Sequence, residues 1–183
     1  MDIETKYLTF WPRFWAGMAD AVVLLPLSLL DRWLFGASLP RVALVAWFCI
    51  YSFSYVTYSV LMHGQYGQTL GKMLTGVKVL DLSESRLSLR QAFLRDSVLI
   101  AFTLAGIVFD MPKVLAGIPP WQELKPSVGF WILTYGSAVW FLAELGTMLT
   151  NEKRRAIHDF IAGSVVVRLA PRRSLDSLIR GDG

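Results

Sequence analysis

Four apolar stretches, residues 13–33, 41–62, 91–110 and 127–150, are each close to or above the length needed to cross a membrane. A helix spans a hydrocarbon layer about 30 Å thick in about 20 residues. Backbone polar groups inside lipid must be satisfied within the chain, so four such stretches dictate a polytopic helical bundle rather than a soluble core. Composition agrees: 54% of the 183 residues are hydrophobic and only 17% are charged, against roughly 25% charged in soluble domains. Trp11, Trp15, Trp33, Trp121 and Trp131 fall near the ends of apolar runs, where indole rings favour the headgroup region. The N-terminus has acids where a secretory leader would be basic, so the first run reads as a retained anchor. Pro26 lies inside that run as a potential kink.

Charge placement orients the spans. Fourteen of the eighteen lysines and arginines lie in the N-terminal flank, the 63–95 segment and the C-terminal tail, and only Arg32, Arg41, Lys113 and Lys125 lie in the other two loops. The asymmetry predicts that both termini and the middle segment are cytoplasmic. The net charge of +4 is then a topology signal and an attraction to anionic lipid, with no nucleic-acid partner implied. Organisation follows as a cytoplasmic N-terminus (1–12), one membrane domain (13–169) and a basic tail (170–183).

Between the second and third spans, "HGQYGQTLGKML" offers a short amphipathic helix with Leu70, Met73 and Leu74 set against Gln68 and Lys72. "GVKVLD" then alternates as a strand does, and Ser88 followed by Gln91 is a capping box for the next helix. After the fourth span "SVVVRL" is again strand-like. A lone strand leaves its backbone unpaired, so residues 76–81 and 164–169 are expected to pair into a small cytoplasmic sheet.

Several ionisable groups lie within or beside the spans. Arg13, Gly17 and Asp20 share one helix face, and Asp20 sits about 10 Å deeper than Arg13 at 1.5 Å per residue. A carboxylate at that depth is costly and marks a functional hypothesis. Glu144, six residues from the end of the fourth span, reaches a similar depth from the same side. Two such carboxylates would share a proton or hold a cation. Tyr51, Ser54, Tyr55 and Tyr58 recur on one face of the second span and offer hydroxyls for a hydrated path or for helix packing. Arg95 and Asp96 point about 100° apart and need different partners, Arg95 reaching either Asp20 or Asp159.

The blander alternatives are a snorkelling Arg13, a buried Asp20–Arg95 pair and an exposed helix end at Asp110. "GQTLGK" is not a phosphate-binding loop, because Tyr66 and Met73 occupy positions that need glycine and Ser or Thr. His158 and Asp159 lack the further ligands of a metal site, and Cys49 has no partner; neither metal nor cofactor is expected.

The strings "RFWAGMAD", "GQTLGKMLTGVKVLD", "LSLRQAFLRD" and "KRRAIHDFIAGSVVV", in this order, resemble the RDD family of bacterial membrane proteins. The resemblance implies that Arg13 and Asp20 are the arginine and first aspartate of its opening helix. It matches Asp159 to the second aspartate, Arg95 to the arginine before the third helix, and Gly67, Thr69, Gly71, Lys72 and Gly76 to the glycine-rich loop. The 111–126 loop is outside the shared pattern, and transport of unknown ligands is what the family suggests.

The expectation is therefore an all-α polytopic membrane protein of four transmembrane helices with a small two-stranded element. It would be a non-enzymatic, oligomeric transporter or proton- or cation-coupled carrier of a small ion or solute, using Asp20 and Glu144. The rival is a scaffold or assembly factor in which Arg13, Asp20, Arg95 and Asp159 form a structural latch.

Overall fold

The computed structural model describes residues 3–37, 39–122 and 126–169, so the expectation of a basic tail over 170–183 lies outside the described residues. Four helices are long and apolar enough to span a membrane. They are α2 (Phe10–Gly36), α3 (Arg41–Tyr66), α6 (Ser97–Leu115) and α7 (Val128–Thr150). Short helices α1 (Ile3–Tyr7), α4 (Leu70–Thr75), α5 (Leu89–Arg95) and α8 (Ile157–Ala162) and strands β1 (Val77–Asp81) and β2 (Ser164–Arg168) gather at one end, here called the sheet end.

The third span differs from its expected bounds of 91–110. The chain breaks at Asp96 into a capped surface helix, α5, and the span proper, which begins at Ser97 and continues to Leu115. The charged pair Arg95 and Asp96 is the reason: it is placed between the two helices, not inside lipid. The Ser88–Gln91 capping box forms, with Ser88 Oγ accepting from the Gln91 N–H at 3.2 Å and Gln91 Oε1 accepting from the Ser88 N–H at 3.1 Å. α2 runs through Pro26 as a continuous helix.

β1 and β2 pair antiparallel, with Val79 opposite Val166 and Leu80 opposite Val165. Val77, Val79 and Val166 pack with Leu87 and Ala92, while Val165 and Val167 pack on Tyr7. Both faces of this small sheet are therefore covered, which explains why "SVVV" is a continuous apolar run and not an alternating one. The sheet ties the middle segment to the C-terminal segment, and α1 joins them through Tyr7. α4 turns Leu70, Met73 and Leu74 outward, 41%, 41% and 77% exposed, as suits a helix lying at a lipid surface.

Candidate functional site

Asp20 is buried, and its partners all belong to the sheet end of the chain. The Tyr58 hydroxyl and the Gly71 N–H donate to Oδ1 at 2.8 and 2.7 Å, and the Thr69 hydroxyl donates to Oδ2 at 2.6 Å. Tyr58 in turn accepts from the Leu70 N–H at 2.8 Å. Thr69 Oγ1 also accepts from the Lys72 N–H at 3.3 Å, capping α4. Asp20 thus fastens the start of α4 to the face of α2. It meets neither Glu144 nor Arg95.

Of the two small residues expected on that side, Gly17 and the neighbouring Ala16, it is Ala16, 1% exposed, that makes the close approach, while Gly17 has open space where a side chain would be. Ala16 takes this role because Gly71 crosses directly over its carbonyl. Gly67 and Gly76 end α3 and α4 at φ of 69° and 67°, a left-handed backbone that glycine adopts without strain. The glycine-rich loop is therefore built to turn twice and to press once against a spanning helix.

Asp159 is the centre of the charged cluster. It is fully buried and takes Arg13 Nη1 on Oδ2 at 2.7 Å and Arg95 Nε on Oδ1 at 3.2 Å. The Ala156 N–H and the Ser164 hydroxyl donate to it as well, both at 3.1 Å. Arg13 completes its donors on Thr9 Oγ1 and the Arg154 carbonyl. Of the two partners open to Arg95 in the sequence, Asp159 is the one it meets. Burial pushes the Asp159 carboxyl up, but the charges of Arg13 and Arg95 outweigh it and hold the group well below the usual carboxylate range.

A carboxylate whose folded value is depressed stabilises the fold fully above its unfolded value, about 4, and loses that contribution as pH falls below it. Thermal unfolding in detergent should accordingly show a midpoint insensitive to Asp159 titration at neutral pH and falling in this acid window. Asp159→Asn should flatten the acid limb.

The two histidines join the same cluster, a role that sequence spacing did not reveal. Arg95 Nη1 donates to His63 Nε2 at 3.1 Å and Nη2 to His158 Nε2 at 2.8 Å. Arginine offers no acceptor, so both Nε2 atoms accept. The protonated Nδ1 of His63 then faces Ser59 Oγ at 3.2 Å, and that of His158 faces Glu144 Oε2 at 2.5 Å. Glu144 also accepts the His158 N–H at 3.0 Å. Lys72 Nζ lies 2.6 Å from His63 Nε2. Burial first, and then the nearby charge of Arg95, lowers Lys72 well below the ordinary lysine value. The only sequence signal for this arrangement is that both histidines of the chain lie at helix ends among the basic segments.

Asp96 stands apart. Its Oδ2 is the one buried side-chain oxygen or nitrogen among the described residues with no hydrogen-bond partner. Asp96 lines a cavity of about 250 Å³ with Tyr55, Ser59, His63, Lys72, Arg95 and His158. A second cavity of about 630 Å³ opens at the far end of the bundle and is lined by Ser28, Asp31, Tyr51, Ser54, Tyr55 and Asp110. There Trp47 Nε1 donates to Asp31 at 2.8 Å, and Lys113 pairs with Asp110 at 3.0 Å. Tyr55 is a wall of both cavities. Of the tyrosine stripe, Tyr51 and Tyr55 thus line polar space while Tyr58 is committed to Asp20.

Comparison with known proteins places this architecture. No solved structure matches the chain. A relative in Bacillus subtilis (strain 168), "Uncharacterized membrane protein YteJ", is 36% identical over 99 residues, 50% of this chain and 60% of the relative. The chain thus spans under two thirds of that relative's length. The RDD family model matches residues 7–163. That match runs from Tyr7 beneath the sheet, through both arginines and the glycine-rich loop, to the end of α8, and on it the chain belongs to the RDD family.

Proposed function

We propose that this protein is a small, non-enzymatic, proton-coupled transporter whose path follows α3 from the far cavity to the cavity at the sheet end. The observation that supports this reading is the pair of cavities, each lined in part by ionisable and hydroxyl side chains, that share Tyr55 as a common wall. The carboxylate best placed to take part is Asp96 and not Asp20, because Asp20 has its hydrogen bonds filled by the α4 segment while Asp96 Oδ2 has none. A cavity of about 250 Å³ holds several waters, each occupying about 30 Å³ in the liquid, so hydration can satisfy that oxygen and deliver protons. Asp96 and Lys72, which line the same cavity, would exchange the proton, with His63 beside them. Glu144 acts at one remove, orienting His158. The positive-inside asymmetry supports reading the sheet end as the cytoplasmic side of a bacterial inner membrane. Four spans leave little room for a complete path, so we assign a homo-oligomer.

The test is flux in liposomes containing the purified full chain and an internal pH dye, under imposed sodium or potassium gradients. Wild type should move protons, and Asp96→Asn should slow the movement at least about tenfold, equivalent to about 1.4 kcal/mol in the barrier, without loss of folded protein. Proton movement unchanged in Asp96→Asn would overturn the role of Asp96.

A second reading, a non-transporting scaffold or assembly factor, is favoured by one observation: fully buried Asp159 joins α2, α5 and α8 through two arginines. Folded wild type that carries no protons under either gradient selects this reading.

A further inference from the structure

α2 and α7 pack on each other sparsely at most. α2 packs on α3 and α4, and α7 packs on α6 and α8. Two cavities lie on this side of the bundle. At the sheet end a polar mouth of about 620 Å³ is bordered by Tyr7, Leu8, Glu152 and Arg154. A pocket of about 460 Å³ is walled by Phe14, Phe141, Leu145 and Met148, with Arg13, Tyr55, Glu144 and His158 also lining it, and Met148 adjoins Leu149 of the mouth on α7. Polarity therefore falls from the mouth inward, as it does along a lipid molecule from headgroup to chain.

The mouth carries one charge of each sign. The Arg154 guanidinium and the Glu152 carboxylate have no hydrogen bond or ion pair among the described residues, whereas Arg13 is engaged with Asp159, Glu144 with His158 and Lys6 with Glu84. Lys153, between them in the chain, is likewise unpaired but borders the adjoining surface with Arg155 and Phe160, not the mouth. Arg154 is also held at φ 49°, with its carbonyl accepting from Arg13 Nη2 at 3.2 Å. This unusual backbone, disfavoured for a residue with a side chain, fixes the mouth to the buried cluster beneath it.

We propose that this cleft binds one aminophospholipid, a lipid whose headgroup carries a phosphate and a primary ammonium. The phosphate pairs with Arg154, the ammonium pairs with Glu152, and one acyl chain runs inward along Phe14, Phe141, Leu145 and Met148. From Phe141 to Met148 the helix rises about 10 Å at 1.5 Å per residue, about two thirds of one leaflet's share of a hydrocarbon layer about 30 Å thick. The proposal does not require proton transport, although the pocket shares Tyr55 and His158 with the sheet-end cavity.

The measurement is native mass spectrometry of the full chain in detergent with added phosphatidylethanolamine, phosphatidylcholine or phosphatidylglycerol, and separately with soluble glycerophosphoethanolamine. Wild type should retain one phosphatidylethanolamine at least about tenfold better than phosphatidylcholine or the soluble headgroup. Met148→Trp, which fills the pocket, should abolish retention. Glu152→Gln should remove the preference for phosphatidylethanolamine over phosphatidylcholine. Arg154→Asn should weaken all three lipids while keeping a residue that tolerates the left-handed backbone. If Met148→Trp fails to fold, Leu145→Phe serves for the same wall. Equal retention of all lipids, retention unchanged in the filled cleft, or equal binding of the soluble headgroup each overturns the proposal.

Discussion

Asp159→Ala is expected to unfold most of the sheet end. The substitution leaves Arg13 and Arg95 facing each other with side-chain exposures of 12% and 4% and no carboxylate between them. Breaking a buried ion pair by removing one partner costs about 3–5 kcal/mol, and here one carboxylate serves two cations. The same residue accepts from the Ala156 N–H and from Ser164, so α8 loses its cap and β2 loses a tie at its first residue. The check is thermal unfolding in detergent together with protease sensitivity of residues 151–169. Both should change sharply, while proteolysis near α7's far end should not. The comparison with Asp159→Asn separates charge from shape: Asn keeps part of the cap and should restore part of the loss. A midpoint within one degree of wild type for the alanine variant would remove Asp159 from its place at the centre of the cluster.

The second large effect is expected from Gly71→Ala. A methyl at this position would overlap the Ala16 carbonyl oxygen and lie 2.9 Å from Asp20 Cγ. The obstacle is backbone on the neighbouring helix, which cannot rotate away as a side chain can. α4 must therefore lift off α2, and with it go the hydrogen bonds from Gly71 and Thr69 to Asp20. Overpacking alone costs about 1–3 kcal/mol, and unpaired buried donors add about 1–3 kcal/mol each. Hydrogen exchange of the Gly71 and Lys72 amides should accelerate, and the unfolding midpoint should fall. Gly17→Ala, which meets nothing within 4 Å, is the matched control and should leave both unchanged. The contrast also tests the assignment of Asp20 as an anchor: if Gly71→Ala left the amides protected, the α4 contact would not be the purpose of that carboxylate.

Asp20 and Asp159 show why the sequence was more informative about position than about partnership. Both aspartates stand out in the sequence, one for its depth and the other for its place in "HDFIAG". Spacing along a helix gives the face on which a residue lies, so Arg13 and Asp20 are correctly assigned to the inward side of α2. It does not give the rotation of that helix against its neighbours. That rotation turns Asp20 toward the glycine-rich loop, leaving Glu144 to pair with His158. The two histidines were hidden for the same reason: they come 95 positions apart in the chain and are joined only through Arg95. The break at Asp96 was also invisible to a count of apolar residues, since "LRQAF" is as helical in pattern as the span that follows.

By itself the sequence determined the four spans, the strand pair, the α5 cap and the gathering of basic segments at one end. Each of these depends on hydropathy, period or a cap within one window of chain, where physical cause and sequence neighbourhood coincide. Tertiary structure alone decided which charges meet, which carboxylate keeps an unpaired oxygen, and which residues line the cavities. Those outcomes arise from helix rotation and from close approaches such as Gly71 on Ala16. Packing sets them between residues far apart in the chain, and no local pattern carries that information.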